Sequence, residues 1–215
     1  MFKLIVFDMD GVLVDIESSW EFLHNAFKVD GRDNFERYLN GEITYEEFMR
    51  LDIELWGKVH VNKIRKTLDQ VPLMKGVEET ISELKRLGYK TAIISSGLYL
   101  LAATLKKRFG INHVYANKLY VDENGILTGE GDPVVCLGEK AKVLKNLVQI
   151  LGITTEQCAV IGDSIFDIPL FKAAGFSIAF NSENSEVKRN ADITIKQRDL
   201  RKILPYFKSK QQNII

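Results

Sequence analysis

The stretch LIVFDMDGVLVD, Leu4–Asp15, sets four apolar residues against two acids, Asp8 and Asp10, and follows them with Gly11. A short apolar run with no polar alternation reads as a strand buried on both faces, as in a parallel sheet covered by helices. In an open parallel sheet, ligands bind outside the carboxyl ends of the strands. Acids placed there raise a chemical question. Side chains alternate along extended backbone, so Asp8 and Asp10 point one way and Met9 another.

Working outward, YKTAIISS (Tyr89–Ser96) and CAVIGD (Cys158–Asp163) repeat the pattern of an apolar run that ends in polar residues. Between the runs lie helical spacings. Val77, Ile81, Leu84 and Leu87 precede the stop signal Gly88, and Leu98–Phe109 stops at Gly110. Val143, Leu147, Ile150 and Leu151 mark one side of a helix that ends at Gly152. His113–Gly129 reads as a short strand plus a hairpin turning at Asn124 and Gly125. Pro169 stands near another helix start, FSIAF and ADITI read as strands, and a last helix is expected from about Leu200. The tail KSKQQNII is expected to fray. This alternation predicts an α/β fold, a Rossmann-like, mostly parallel sheet with helices on both faces. Residues 16–73 break it: Trp, Phe and Glu recur at helical spacing with no buried strand, and the segment closes at Pro72 and Leu73. We read it as a small helical subdomain inserted after the first strand, with residues 1–15 and 74–215 forming the core domain. Trp20, Phe27, Phe48 and Trp56 are expected to form that subdomain's core.

Lys plus Arg and Asp plus Glu both number 29, so no whole-chain field of one sign points to nucleic acid or an acidic membrane. Any anion has to be met locally. Hydrophobic residues at 46% and charged residues at 27% give a globular balance rather than a disordered or membrane one. The two cysteines, Cys136 and Cys158, have neither metal-ligand nor framework spacing, so no disulfide is predicted and a reducing compartment is the default. The apolar start stops at Asp8, short of a signal-peptide core. A soluble, cytoplasmic protein is expected; the oligomeric state is open.

The residues that follow the apolar runs should gather at one sheet edge. They are Asp8 and Asp10; Ser95, Ser96 and Gly97; then Asp163, Ser164 and Asp167. Carboxylates that close raise one another's pKa unless a cation intervenes. Without histidine or cysteine among them, they suit magnesium better than zinc. Ser95, Ser96 and Gly97, leading into a helix, offer a hydroxyl and backbone N–H groups to a phosphate, and Lys140 at a helix start supplies a fixed positive charge. Taken singly, each has a plainer reading: Asp167 as a helix N-cap, the Ser-Ser-Gly turn as a connection, Lys140 as a solvated lysine. His24, His60 and His113 fall in no arrangement with a base or second ligand and are assigned no role.

Together DMDGVLV (Asp8–Val14), ISSG (Ile94–Gly97), Lys140 and GDSIFD (Gly162–Asp167) resemble the haloacid dehalogenase superfamily across essentially the whole chain. GDSIFDIPLFKAAGFSIAF and ADITIKQRDLRKIL are most similar to its phosphoserine phosphatase branch. The resemblance implies a magnesium-dependent phosphomonoesterase acting on a small phosphorylated metabolite, with 16–73 as its cap. Asp8 would attack phosphorus and form an aspartyl-phosphate. Asp10 would protonate the leaving oxygen and then take a proton from water. Asp8, the Asp10 carbonyl and Asp163 would hold the metal, Asp167 would complete or orient that shell, and Ser95, Ser96, Gly97 and Lys140 would hold the phosphoryl oxygens. Glu17 falls where that branch keeps a glutamate for the substrate amine. The arginine expected for a substrate carboxylate falls at Asp52, with Arg50 on a different face, and Phe166 replaces a polar residue. Phosphoserine is therefore one candidate substrate among several. A phosphomutase, or a non-catalytic phosphate-binding or phospho-accepting module, is the alternative.

Overall fold

The computed structural model describes residues 1–208, so the tail expected to fray lies, beyond Lys208, outside the described residues. Strand β1 (Leu4–Phe7) leads into four helices, α1 (Ser19–Phe27), α2 (Arg32–Leu39), α3 (Tyr45–Leu55) and α4 (Val61–Leu68). The alternation then begins with α5 (Val77–Arg86), β2 (Lys90–Leu98), α6 (Tyr99–Phe109), β3 (His113–Val121) and β4 (Leu127–Asp132). It continues through α7 (Lys140–Leu151), β5 (Cys158–Gly162), α8 (Ile168–Ala173), β6 (Phe176–Phe180), α9 (Ser185–Asn190), β7 (Ile193–Ile195) and α10 (Pro205–Lys208).

The seven strands lie in the order β4-β3-β2-β1-β5-β6-β7, all parallel except β4, which runs antiparallel to β3. The chain builds outward from β1 on one side, then crosses back to lay β5 on the other. The carboxyl ends of β1 and β5 therefore flank the point where the order reverses, the place such sheets use for ligands. Register fixes the meeting: Phe7 pairs with Ile93 of β2 and with Ile161 of β5. Residues following each strand thus emerge at one level.

Burial on both faces accounts for the apolar runs. Leu4 and Val6 join Ile94, Val160, Leu144 and Leu147 in one core, while Ile5 and Phe7 join Ile93, Ile161, Ile81 and Phe207 in the other. On α7 the buried apolar residues are Leu144, Leu147 and Val148, and Ile150 is 73% exposed. The apolar side read from Val143, Leu147, Ile150 and Leu151 is therefore rotated: Leu144 faces the sheet and Ile150 faces solvent. β3 is a single nine-residue strand, parallel to β2 at its start and antiparallel to β4 at its end, rather than a short strand before a separate hairpin. The last segment opens with a 3-10 turn, Leu200–Ile203, before α10. No helix of the described residues is long and apolar enough to cross a membrane.

Capping sets the starts of two helices of the 16–73 segment. Ser18 accepts the N–H groups of Trp20 and Glu21, and Thr44 with Glu47 forms a reciprocal capping box. The segment leans on the β3–β4 hairpin: Val61 N–H donates to the Gly125 carbonyl at 2.8 Å, and Leu127 N–H to the Val59 carbonyl at 2.9 Å. Asn117 of β3 donates to the Tyr45 hydroxyl at 2.8 Å, to the Ser96 carbonyl at 2.9 Å and to the Val135 carbonyl at 3.1 Å.

The rotated face of α7 sets a contrast that urea unfolding would read. Leu144→Ala should cost about 2–5 kcal/mol, the range for a leucine truncated inside a packed core. Ile150→Ala should stay within about 0.5 kcal/mol.

Candidate active site

Asp8 leaves β1 and Asp163 leaves β5, and the register brings their carboxylates together. Carboxylate oxygens of Asp8, Asp163 and Asp167 lie within 4.8 Å of one another. Gly11 makes the approach of Asp163 feasible: its φ is +73°, and a Cβ there would collide with the Asp163 carboxylate. Lys140, the first residue of α7, is 2% exposed and places Nζ 2.6 Å from both Asp8 Oδ2 and Asp167 Oδ1. Burial pulls that ammonium's pKa down, but the Asp167 and Asp8 carboxylates overcome the effect and hold it above its ordinary value. Lys140 is therefore not a solvated lysine.

Asp167 is fully buried, and its second oxygen accepts Asp163 N–H, Ser164 N–H and the Ser164 hydroxyl at 3.1, 3.0 and 2.9 Å. By position it precedes α8, yet its side chain caps nothing there. It ties Lys140 to the turn that carries Asp163. Burial first, then Asp167 and Asp8, raise the Asp163 pKa well above its ordinary value. Three carboxylates share one ammonium in a desolvated place, and every donor is an oxygen. Such a set fits a hard divalent cation that would relieve the excess charge.

Asp10 stands apart from this cluster. Its Oδ2 accepts both the backbone N–H and the hydroxyl of Ser19, each at 2.8 Å, while Oδ1 is buried with no hydrogen-bond partner among the described residues. Burial pushes its carboxyl up to about 7, against the pull of the Ser19 N–H. An acid so poised gives and takes protons near neutrality. Sequence reading missed Ser19, which has no motif; the only signal was its place one residue after a cap.

Ser95, Ser96 and Gly97 lie within β2, which runs on to Leu98, so they are strand rather than a turn, and α6 begins at Tyr99. They still reach the acids. The Ser95 hydroxyl accepts the Gly97 N–H at 3.1 Å and pulls the Asp8 pKa down against the larger upward push of burial. Ser96 keeps a buried hydroxyl with no partner among the described residues. A Cβ on Gly97 would stand 2.7 Å from both Asp10 Oδ2 and Ser19 Oγ, so a side chain there would force that pair apart.

A cavity of about 570 Å³ runs from these groups to α1, α2 and α3, within the range of small-ligand sites. Glu17 lines it but is exposed. Trp20 and Phe48 also line it, so the expectation that they serve only as subdomain core is corrected; Phe27 and Trp56 do pack inward, Trp56 stacked on Trp20 at 5.4 Å. Phe166 meets Phe35 edge-on at 6.5 Å, bridging the turn after β5 to α2. Asp52 is 3% exposed, accepts Asn34 Nδ2 at 2.9 Å and stands 3.5 Å from His24 Nε2. His24, assigned no role from its sequence position, is a wall of this cavity. His60 instead caps α4, and Cys136 and Cys158 are free thiols.

The His24 ring donates Nδ1–H to the Trp20 carbonyl at 2.6 Å. Burial lowers its pKa, but the nearby Asp52 carboxylate and the bond to the Trp20 carbonyl carry it above the ordinary 6.5. The pairing therefore stabilises the fold fully below 6.5 and fades as pH rises through the higher folded value. In Asp52→Asn the imidazole NMR titration midpoint should move down, because the carboxylate that holds it up is gone. An unmoved midpoint would mean the two groups do not interact.

With this geometry in place, comparison with known proteins gives a consistent result. The haloacid dehalogenase-like hydrolase family model matches residues 2–175. A phosphoserine phosphatase of Methanocaldococcus jannaschii is 35% identical over 96% of this chain and 98% of its own length. One from Albidiferax ferrireducens is 33% identical over 96% of this chain and 90% of its own. A substrate-bound phosphoserine phosphatase structure superposes with a TM-score of 0.82 at 32% identity, covering 96% of this chain and 98% of that one. A phospho-aspartyl intermediate analogue of phosphoserine phosphatase gives 0.81 at 33% identity, covering 95% and 98%. The chain belongs to the haloacid dehalogenase-like hydrolases and, within them, to the phosphoserine phosphatase-like phosphatases.

Proposed function

We propose that the chain is a cytoplasmic, magnesium-dependent phosphomonoesterase that hydrolyses a small phosphorylated metabolite through a phosphorylated Asp8, with residues 16–73 as a cap over the site. The observation that carries this reading is the pairing of two differently prepared acids. Asp8 is gripped at Oδ2 by Lys140 and at Oδ1 by the Met9 N–H at 2.7 Å, so its carboxylate is fixed in orientation. Asp10, two residues on, is held by Ser19 and raised to about 7. The first is suited to attack and the second to proton transfer.

In the first half-reaction an Asp8 oxygen forms a bond to phosphorus as the ester P–O bond breaks, and Asp10 gives its proton to the departing oxygen. In the second, Asp10 takes a proton from water as the water oxygen bonds to phosphorus. The Asp8–phosphorus bond breaks, releasing inorganic phosphate and restoring both acids. Lys140, the Ser95 and Ser96 hydroxyls and the backbone N–H groups of Ser96 and Gly97 meet the charge on the phosphoryl oxygens, where positioning supplies most of the catalysis. Asp8, Asp163 and the Asp10 carbonyl would hold the magnesium ion, which when bound neutralises phosphoryl charge. Asp167 orients Lys140 and the Asp163 turn. The cap reading rests on the α1 ties, Ser19 to Asp10 and Trp20 Nε1 to the Ser96 carbonyl at 3.1 Å. They seat the helices over the reacting groups and restrict bulk solvent around the acyl phosphate, leaving Asp10 to direct the attacking water.

Phosphate release from a panel of phosphomonoesters, with magnesium and with chelator, tests the reading. Release should need magnesium and fall on the order of 10⁴-fold or more in Asp8→Asn. In Asp10→Asn it should fall about 10²–10⁴-fold, the usual worth of a positioned acid–base group. Isomerised ester without free phosphate would mark a phosphomutase instead. Ser19→Ala should lower kcat about 10-fold or more with little change in KM, because it frees the proton shuttle rather than the phosphate site.

A further inference from the structure

The half of the cavity away from the phosphate groups carries charge predominantly of one sign. Glu17, Glu21, Asp30 and Asp52 line it, opposed by Arg32 and His24. Arg32 is already engaged: its Nε meets both Asp30 oxygens at 2.9 and 3.0 Å and a terminal nitrogen meets one at 2.6 Å. Its charge is thus spent on an exposed neighbour rather than aimed inward. Whichever protonation state His24 adopts, carboxylates exceed cations in this half.

Asp52 is the telling group because it is buried. Its only direct hydrogen-bond donor among the described side chains is Asn34 Nδ2, and His24 Nε2, itself 3.5 Å away, has no hydrogen-bond partner. A carboxylate on the substrate would meet a second carboxylate in a partly desolvated space, and like charges so placed are strongly unfavourable. A cation there would be met by opposite charge and by π faces. Trp20 is fixed by its stack on Trp56 and by its indole bond to Ser96, and Phe35 and Phe166, in edge-on contact with each other, line the same cavity. Aromatic walls with acids behind them are the environment that holds ammonium groups.

We infer that the alcohol half of the substrate carries an ammonium group and no carboxylate, a phosphomonoester of a small amino alcohol, with Asp52 the residue that sets this choice. The inference rests on the phosphatase reading above and narrows its substrate.

Phosphoethanolamine and phosphoserine differ by one carboxylate and make the decisive pair, with phosphocholine and glycerol phosphate as methylated and uncharged controls. Wild-type kcat/KM should favour phosphoethanolamine over phosphoserine by about tenfold or more, and cationic esters over glycerol phosphate. Asp52→Asn, checked for an intact melting transition, should shrink both ratios. Calorimetric binding of the same esters to Asp8→Asn reads the preference without turnover. A retained binding preference with no hydrolysis by the wild type would overturn the reaction and support the substrate class. Hydrolysis with phosphoserine or glycerol phosphate equal or better would overturn the class and leave the reaction standing. Failure of any cationic ester to bind would overturn the class as well.

Discussion

The arrangement depends on one buried contact, the Lys140 ammonium lodged between Asp8 and Asp167 at 2.6 Å from each. Taking these charges out of water is costly, and their mutual attraction offsets the cost only when the geometry is good and remaining lone pairs are satisfied. Here they are: Asp167 fills its other oxygen with three donors from the Asp163–Ser164 turn, and Asp8 fills Oδ1 with the Met9 N–H. The three residues come from β1, from the start of α7 and from the turn after β5, elements far apart in sequence. One interaction therefore locks together the groups that must face a phosphoryl group. Removing the lysine would leave two carboxylates beside Asp163 with nothing to balance them, which is why so buried an amine is tolerated.

The second constraint is steric. Gly11 and Gly97 leave room for Asp163 and for the Asp10–Ser19 pair, so the acids reach one another across backbone rather than around side chains. Ser19 also donates to nothing outside this crossing: its hydroxyl bonds Asp10 and accepts the Leu98 N–H at 3.1 Å. The first turn of α1 is thereby joined at once to the proton-handling acid and to the end of β2. The start of the inserted helices and the chemistry are coupled through a single hydroxyl, so displacement of α1 would release Asp10 from its holder.

What was legible in the sequence follows from how local the cause is. Buried runs ending in acids and a glycine after the second acid are statements about neighbours along the chain, and they placed β1, β2 and β5 and brought Asp8, Asp10 and Asp163 to one sheet edge. The rotation of α7 was not legible, because Leu144 and Ile150 are both apolar and only the sheet beneath decides which is covered. Nor was the role of Ser19, His24 or Asn117. Each acts through a partner about 10 to 75 residues away, and no spacing rule reaches it: Ser19 through Asp10, His24 through Asp52, Asn117 through Tyr45. The strand conformation of Ser95, Ser96 and Gly97, read from sequence as a turn leading into a helix, was hidden for a related reason. Pairing of Leu98 with Asn117 prolongs β2 past its bulge, so a tertiary strand contact overrode the turn composition of Ser-Ser-Gly.

The two halves of the cavity differ in what holds them. Phosphate-facing groups are set by strand ends and by backbone, which the sheet register leaves little freedom to move. The opposite wall is made of side chains on short helices, Trp20, His24, Phe35 and Asp52, whose backbones are tied to the sheet chiefly through α1 and the β3–β4 hairpin. Replacing a side chain on that wall changes the charge that a substrate meets without disturbing the strands that deliver Asp8 and Asp163. An acid at position 52 is therefore compatible with an intact reaction centre, and the burial of its carboxylate against His24 makes it a built part of the wall rather than a solvated surface charge. Asp52 on α3 thus lies apart from the Ser19 contact through which α1 joins Asp10, so charge on that wall can change while this contact stays in place.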